Sequence, residues 1–269
     1  MDLILVGPGR AGLAVALAAA SAEHRIVGVL ARRRDAAAAA ASRLESAVLE
    51  WDRPLPGADL LLIGVRDDAI TTVARRLAGR EGAVSGAAHL SGFTPVDALG
   101  PLSVPIASFH PLQTLPTPEV GAARLAGAWV AVTSDDDMLA DRLFAFAASL
   151  GARPFDLADR AKPLYHAAAV AAANFPVASW EMSRRLFAAA GVEFAAAAPL
   201  IQAITANTLD LGPEAALTGP IARGDVGTVR AQVEAVRAAL PEFAAHFDAA
   251  VRAVAQVAGT SEEIEEALG

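Results

Sequence analysis

Residues 3–12 read LILVGPGRAG, and the run continues as AGLAVALAAASA. Four apolar residues of strand character stop at Gly7, and an alanine- and leucine-rich helix follows almost at once. The spacing of Gly7, Gly9 and Gly12 is G-x-G-x-x-G. In a strand–turn–helix setting the first glycine permits the tight turn and the second lets backbone approach a pyrophosphate. The third lets helix and strand pack closely. The open N–H groups of the first helical turn then face the anion, with the positive end of the helix dipole behind them. A glycine turn without a ligand has the same letters, but the flanking strand and helix favour a dinucleotide. Gly7, Gly9, Arg10, Ala11 and Gly12 are the candidate cofactor turn.

Downstream, strand and helix alternate. RIVGVL (25–30) reads as a strand, RDAAAAAASRLE (34–45) as a helix and ADLLLIGV (58–65) as a strand buried on both faces. DDAITTVARRLAG (67–79) is a helix with Asp in its first turn and Arg in its last, matching the dipole. AVSGAAHL, VPIASF and AWVAVT are further strands, and DDDMLADRLFAFAASLG is a helix. Such alternation implies an α/β doubly wound parallel sheet. From about Asp159 no strand is expected and alanine-rich helical runs take over. The chain therefore divides into a dinucleotide-binding domain over 1–156 and an all-helical domain over 157–269. A charged connector, GARPFDLADRAKP (151–163), is bracketed by Pro154 and Pro163.

About 20 residues past the fingerprint, an NAD site ordinarily carries an acid for the ribose hydroxyls. Here the position falls in ARRRD (31–35), where Arg32 and Arg33 offer charge and fork geometry for a 2′-phosphate. NADP is expected over NAD; a solvated helix start is the alternative. Val65, Arg66 and Asp67 in GVRDDAI follow a strand at its carboxyl end, where ligands of such sheets lie. Asp67 or Asp68 also suits an N-cap.

The composition excludes several functions. There is no cysteine, hence no disulfide, thiolate metal site or Cys nucleophile. No His/Asp/Glu grouping has metal spacing. The formal net charge is −8 with no basic patch, against a nucleic-acid partner. No apolar run reaches membrane-spanning length, and the N-terminus lacks the basic region of a signal peptide. A cytoplasmic protein with a small-molecule substrate is expected.

KPLYH (162–166) holds the only lysine of the chain, Lys162, and its only tyrosine, Tyr165. Arginine cannot lose its proton at working pH, whereas a partly buried lysine can. Lys162 is thus a candidate acid–base group, with His166 one helical turn away and Asn174 two turns further on; a surface lysine and a core histidine are the plain alternatives. Pro163 disfavours helical geometry at Lys162. His110, between a strand end and Pro111, suits a site-lining loop. Thr218 and Arg223 in LTGPIARGD could hold a substrate carboxylate, in a turn before a helix capped by Asp225.

VRDDAI, HLSG, SFHPLQTL, KPLYHAAAVAAANF and LTGPIARGD together resemble an uncharacterised bacterial family. That family pairs a Rossmann-like domain with a C-terminal domain of unknown function, within the 6-phosphogluconate-dehydrogenase-like superfamily. Its relatives include 3-hydroxyacid dehydrogenases, ketopantoate reductase, pyrroline-5-carboxylate reductase and prephenate dehydrogenase. The resemblance implies NADP binding, a helical domain that dimerises and a site between the domains; Ser91 of HLSG joins the cofactor set. Several relatives follow a catalytic Lys by Asn four residues on; here His166 stands there. The His-Pro motif at His110 is similar to one that contacts substrate hydroxyl in prephenate dehydrogenases. KPLY lacks the Tyr-x-x-x-Lys order of short-chain dehydrogenases, so Tyr165 is expected to pack with its hydroxyl bonded. The resulting expectation is an NADP-dependent oxidoreductase acting on a carbonyl, hydroxy-acid or imine substrate, homodimeric through residues 163–257. A non-catalytic dinucleotide sensor is the rival reading.

Overall fold

The computed structural model describes residues 1–269. Eight strands form one sheet in the order β3-β2-β1-β4-β5-β6-β7-β8. They are β1 Asp2–Val6, β2 Arg25–Leu30, β3 Ala47–Val48, β4 Leu60–Ile63, β5 Ala87–His89, β6 Ile106–Leu112, β7 Trp129–Ser134 and β8 Arg153–Asp156. Helices α1 Arg10–Ser21, α2 Arg34–Arg43, α3 Ile70–Leu77, α4 Pro118–Ala123 and α5 Asp137–Ser149 connect them. The chain starts in the middle of the sheet and winds both ways, so a switch point lies between β1 and β4.

Alternation along the strands sorts the core. Leu3 and Leu5 of β1 and Leu60 and Leu62 of β4 pack with residues of α1, α2 and α5. Ile4, Val6, Leu61 and Ile63 face the other way, with Ile70, Ala74 and Leu77 of α3. With both faces covered, residues 3–6 of β1 and all of β4 are apolar.

Two expectations need correction. The sheet is not wholly parallel, because β7 runs antiparallel to β6. The stretch read as a connector contains β8, which pairs with β7 from Arg153 to Asp156. Pro154 is tolerated because β8 is the last strand, with a free edge. β6 also runs further than VPIASF suggests. β5 pairs with it only as far as Ser108, while β7 pairs on to Leu112. The overhang places Pro111 where one edge carries no ladder, which suits a residue without an N–H.

The backbone divides into two compact units, Met1–Ala173 and Asn174–Gly269. The first holds the whole sheet and the start of α6 Lys162–Ala189. The second contains the rest of α6, then α7 Ala198–Leu211, α8 Pro213–Ala216, α9 Val226–Ala239, α10 Ala244–Ala258 and α11 Ser261–Leu268. Its core is small: Val229 and Val233 of α9, Val251 and Ala255 of α10, and Ile264, Ala267 and Leu268 of α11. Asp225 caps α9 by accepting from the Thr228 N–H at 3.1 Å. No helix is long and apolar enough to cross a membrane.

Candidate cofactor and active site

The glycine turn is built as its spacing requires. Gly7 has φ +83°, and a side chain there would collide with Val65. A Cβ on Gly12 would come within 2.6 Å of the Gly7 carbonyl oxygen, and one on Gly64 within 2.6 Å of Gly12 Cα. Three glycines thus let β1, α1 and the end of β4 meet backbone to backbone. Gly9 is the N-cap of α1 and supplies no side-chain cap, so the first-turn N–H groups are left to a ligand. Two clefts flank the turn. One, of about 710 Å³, is bordered by Gly9, Arg10, Ala11, Val65 and Arg66. The other, of about 540 Å³, is bordered by Gly7, Arg32, Val65 and Arg66 and by Trp51 and Arg76, which the sequence reading overlooked. Uncapped first-turn N–H groups with a cleft on either side are the features a pyrophosphate and its adenosine would need.

The two arginines part company in the structure. Arg32 borders the cleft. Arg33 does not: its side chain is exposed and forked onto Asp35. The i,i+2 carboxylate at the helix start captures it. The capping expectation for Asp67 and Asp68 also fails. The short 3₁₀ turn Asp67–Ala69 has no side-chain cap. Asp68 instead pairs with Arg66, and Asp67 accepts a 2.7 Å hydrogen bond from Ser91 Oγ.

Ser91 organises the loop after β5. Its Oγ also accepts from the N–H groups of Phe93 (3.1 Å) and Thr94 (2.9 Å). The carboxyl ends of β4 and β5 are tied together there. His89, the last residue of β5, is fully buried; its Nδ1 accepts from the Ser91 N–H. This fixes the tautomer with the proton on Nε2, which has no hydrogen-bond partner. Burial, with Lys162 nearby, pushes His89 down to about 4.

Lys162 is found where a substrate-touching amine is not expected. It is 1% exposed and helical, with φ −53° and ψ −42°. The preceding turn Asp159–Ala161 feeds directly into α6 and overrides the bias that Pro163 imposes. Its Nζ donates to the Thr94 carbonyl at 2.9 Å and pairs with Asp159 at 2.7 Å. Asp159 in turn accepts from the Val96 N–H at 3.1 Å. Burial lowers the Lys162 pKa and the Asp159 carboxylate opposes that. The pair clamps the Thr94–Val96 loop onto the start of α6.

Lys162, Tyr165 and His166 are i, i+3 and i+4 on one helix face. Tyr165 and His110 share a 2.8 Å hydrogen bond between the hydroxyl and Nδ1. His110 lies within β6, on the overhang, rather than in the expected loop. His166 is near both His110 (ring centroids 6.5 Å) and Phe93 (5.9 Å). Burial, helped by His166 and Lys162 against Asp67, holds His110 down at about 4. Burial pushes the Tyr165 hydroxyl up to about 12. Two neutral, mutually bonded proton-handling groups thus stand beside the Ser91–Thr94 loop. Asn174, Thr218 and Arg223 belong to the second compact unit, where all three are exposed.

Sheet order and glycine turn define a Rossmann-type domain, with clefts on either side of the turn. Residues 1–111 match a Rossmann-like domain family, and residues 128–254 match a domain of unknown function, DUF2520. Among solved structures, a provisionally assigned NADP oxidoreductase from Bacteroides fragilis has TM-score 0.81 at 21% identity, over 95% of this chain and 98% of its own. An imine reductase from Streptomyces aurantiacus has TM-score 0.68 at 16% identity, over 100% and 98%. A 1-pyrroline-5-carboxylate reductase from Streptococcus pyogenes has TM-score 0.62 at 15% identity, over 95% and 98%. No curated protein sequence matches the chain.

Proposed function

We propose that the protein is an NADP-dependent oxidoreductase acting on a small carbonyl or imine substrate. The observation that carries this is the hydrogen-bonded His110–Tyr165 pair, set at the carboxyl edge of the sheet that also holds the glycine cradle. A sensor needs the cradle but has no use for a desolvated proton-handling pair.

Bound in the cradle, the nicotinamide would supply or accept the hydride. The chain handles the proton. As hydride reaches the substrate carbon, a proton must reach its oxygen or nitrogen. A hydroxyl with its pKa raised to about 12 stays protonated at physiological pH and still yields its proton to a developing alkoxide. Tyr165 has that role in this reading, and His110, neutral above about pH 4, orients it. Lys162 acts through others, as a positioning residue: with Asp159 it fixes the loop that carries Ser91 and Phe93. The imine substrate class draws support from the similarity to the imine and pyrroline-5-carboxylate reductases, at the level of fold.

The test is a screen of NADPH oxidation against cyclic imines, 2-oxo acids and aldehydes, run beside direct cofactor binding. Turnover with any of them supports the enzyme; tight binding without turnover across the set favours the sensor.

A homodimer belongs to the same proposal. α7 buries none of its residues in the chain, and Leu200, Leu209 and Leu211 are exposed. Phe175, Val177 and Trp180 on the later part of α6 are exposed too. So much uncovered apolar surface is what a second copy would cover.

A further inference from the structure

Trp51 joins two features of the 540 Å³ cleft that are distant in sequence. Its indole Nε1 donates to the Ala31 carbonyl at 2.8 Å, which fixes the corner bearing Arg32. On its ring face lies the Arg76 guanidinium, 4.3 Å from the centroid. Arg76 reaches the cleft from α3, where Thr72, Val73 and Arg76, with Ala69 just before the helix, recur at helical spacing and form one wall.

The surrounding arginines are already engaged. Arg33 binds Asp35, Arg34 binds Glu50, Arg66 binds Asp68, and Arg80 donates to the Trp51 carbonyl. Arg32 and Arg76 border the same cleft, and neither has an acidic or carbonyl partner. A guanidinium stacked on a ring keeps its N–H donors in its own plane, free for an anion. Two unpaired forks beside one cleft, one of them held by an aromatic face, form a site for a dianionic group.

Building on the dinucleotide reading above, we propose that Arg76, held on Trp51, and Arg32 together bind the 2′-phosphate of the cofactor adenosine. Arg76 is then a specificity-determining residue that selects NADPH over NADH. Trp51 sets its position and closes the adenosine end of the cleft.

Equilibrium binding, read by the fluorescence of the reduced nicotinamide, tests this. Probes are NADPH and NADH, with adenosine 2′-monophosphate as competitor. Proteins are the wild type, Arg76→Ala, and Arg75→Ala as a control that removes the neighbouring exposed guanidinium outside the cleft. Arg76→Ala should weaken NADPH about 10- to 100-fold, the worth of a charge-assisted bond, and leave NADH within about twofold. Competition by adenosine 2′-monophosphate should weaken in parallel, and Arg75→Ala should change neither. Equal effects of Arg76→Ala on both dinucleotides, or none, would overturn the assignment while leaving the dinucleotide reading intact. Failure of the wild type to bind either dinucleotide would overturn both.

Discussion

Gly92 lies flat against the His110 imidazole: a Cβ at position 92 would come within 2.6 Å of Cε1 and 2.7 Å of Nδ1. Nδ1 is also the atom bonded to Tyr165. Gly92→Ala should therefore displace the ring while leaving the glycine cradle untouched. Turnover should fall by roughly 10- to 100-fold, the cost of losing a catalytic orientation, with the NADPH dissociation constant unchanged. Steady-state rates beside a binding titration check this.

Tyr165→Phe removes one oxygen and keeps the ring. Activity should drop about 10²- to 10⁴-fold, the usual worth of a positioned proton donor. His110→Asn should cost less when measured alone, and the double variant little more than Tyr165→Phe, because the two act as a unit. Single-turnover hydride transfer is the appropriate readout. Near-equal rates for Tyr165→Phe and wild type would remove Tyr165 from the proton path.

Lys162→Met leaves the Thr94 carbonyl and Asp159 without the amine. The loss should be about 2–4 kcal/mol of stability, towards the low end because Asp159 keeps solvent contact. Lys162→Arg should also destabilise, since a larger guanidinium must enter an enclosed site. Thermal denaturation measures both. For the fraction still folded, kcat should fall without any change in the pH profile, as befits a residue that positions a loop.

Acid should weaken the fold through His89. An unfolded histidine titrates near 6.5, and His89 in the folded chain near 4. Between these values the unfolded chain binds more protons, so stability rises with pH. His89 thus contributes nothing adverse above about pH 6.5, and stability is lost as the pH falls towards 4, by roughly 3 kcal/mol. Denaturant midpoints for wild type and His89→Asn between pH 5 and 7 test it; the variant should show the shallower slope.

Sedimentation at micromolar concentration should give twice the 27.5 kDa chain mass. Asp in place of Leu200 and Ile204 should shift the mass towards one chain. A wild-type mass near 27.5 kDa would contradict the homodimer.

β1, β2 and β4 were legible because each combines an apolar run with turn punctuation, and β2 matches its reading at both ends, Arg25 and Leu30; β3, two residues long at Ala47–Val48, was not legible. β8 was not legible. It is four residues long, contains Pro154 and begins and ends on charged residues, as an exposed edge allows. At the site, the spacing of Lys162, Tyr165 and His166 announced a shared helix face. Their functions depend on partners 68 and 55 residues away, Thr94 and His110, which no local pattern encodes. The Trp51–Arg76 stack was hidden for the same reason, although Ala69, Thr72, Val73 and Arg76 carry a helical period that marks one face.

The enclosure of Lys162 gives the chain an internal gauge. It is the only lysine, and its amine is sealed from solvent. A reagent that acylates ε-amines cannot reach it while the Thr94–Val96 loop is closed over α6. Each acylated side chain therefore records one opening of that loop. The slow reaction of this ε-amine, followed by mass spectrometry of the peptide that carries it so that the N-terminal amine is not counted, reports how often the site breathes, and whether bound cofactor makes it do so less.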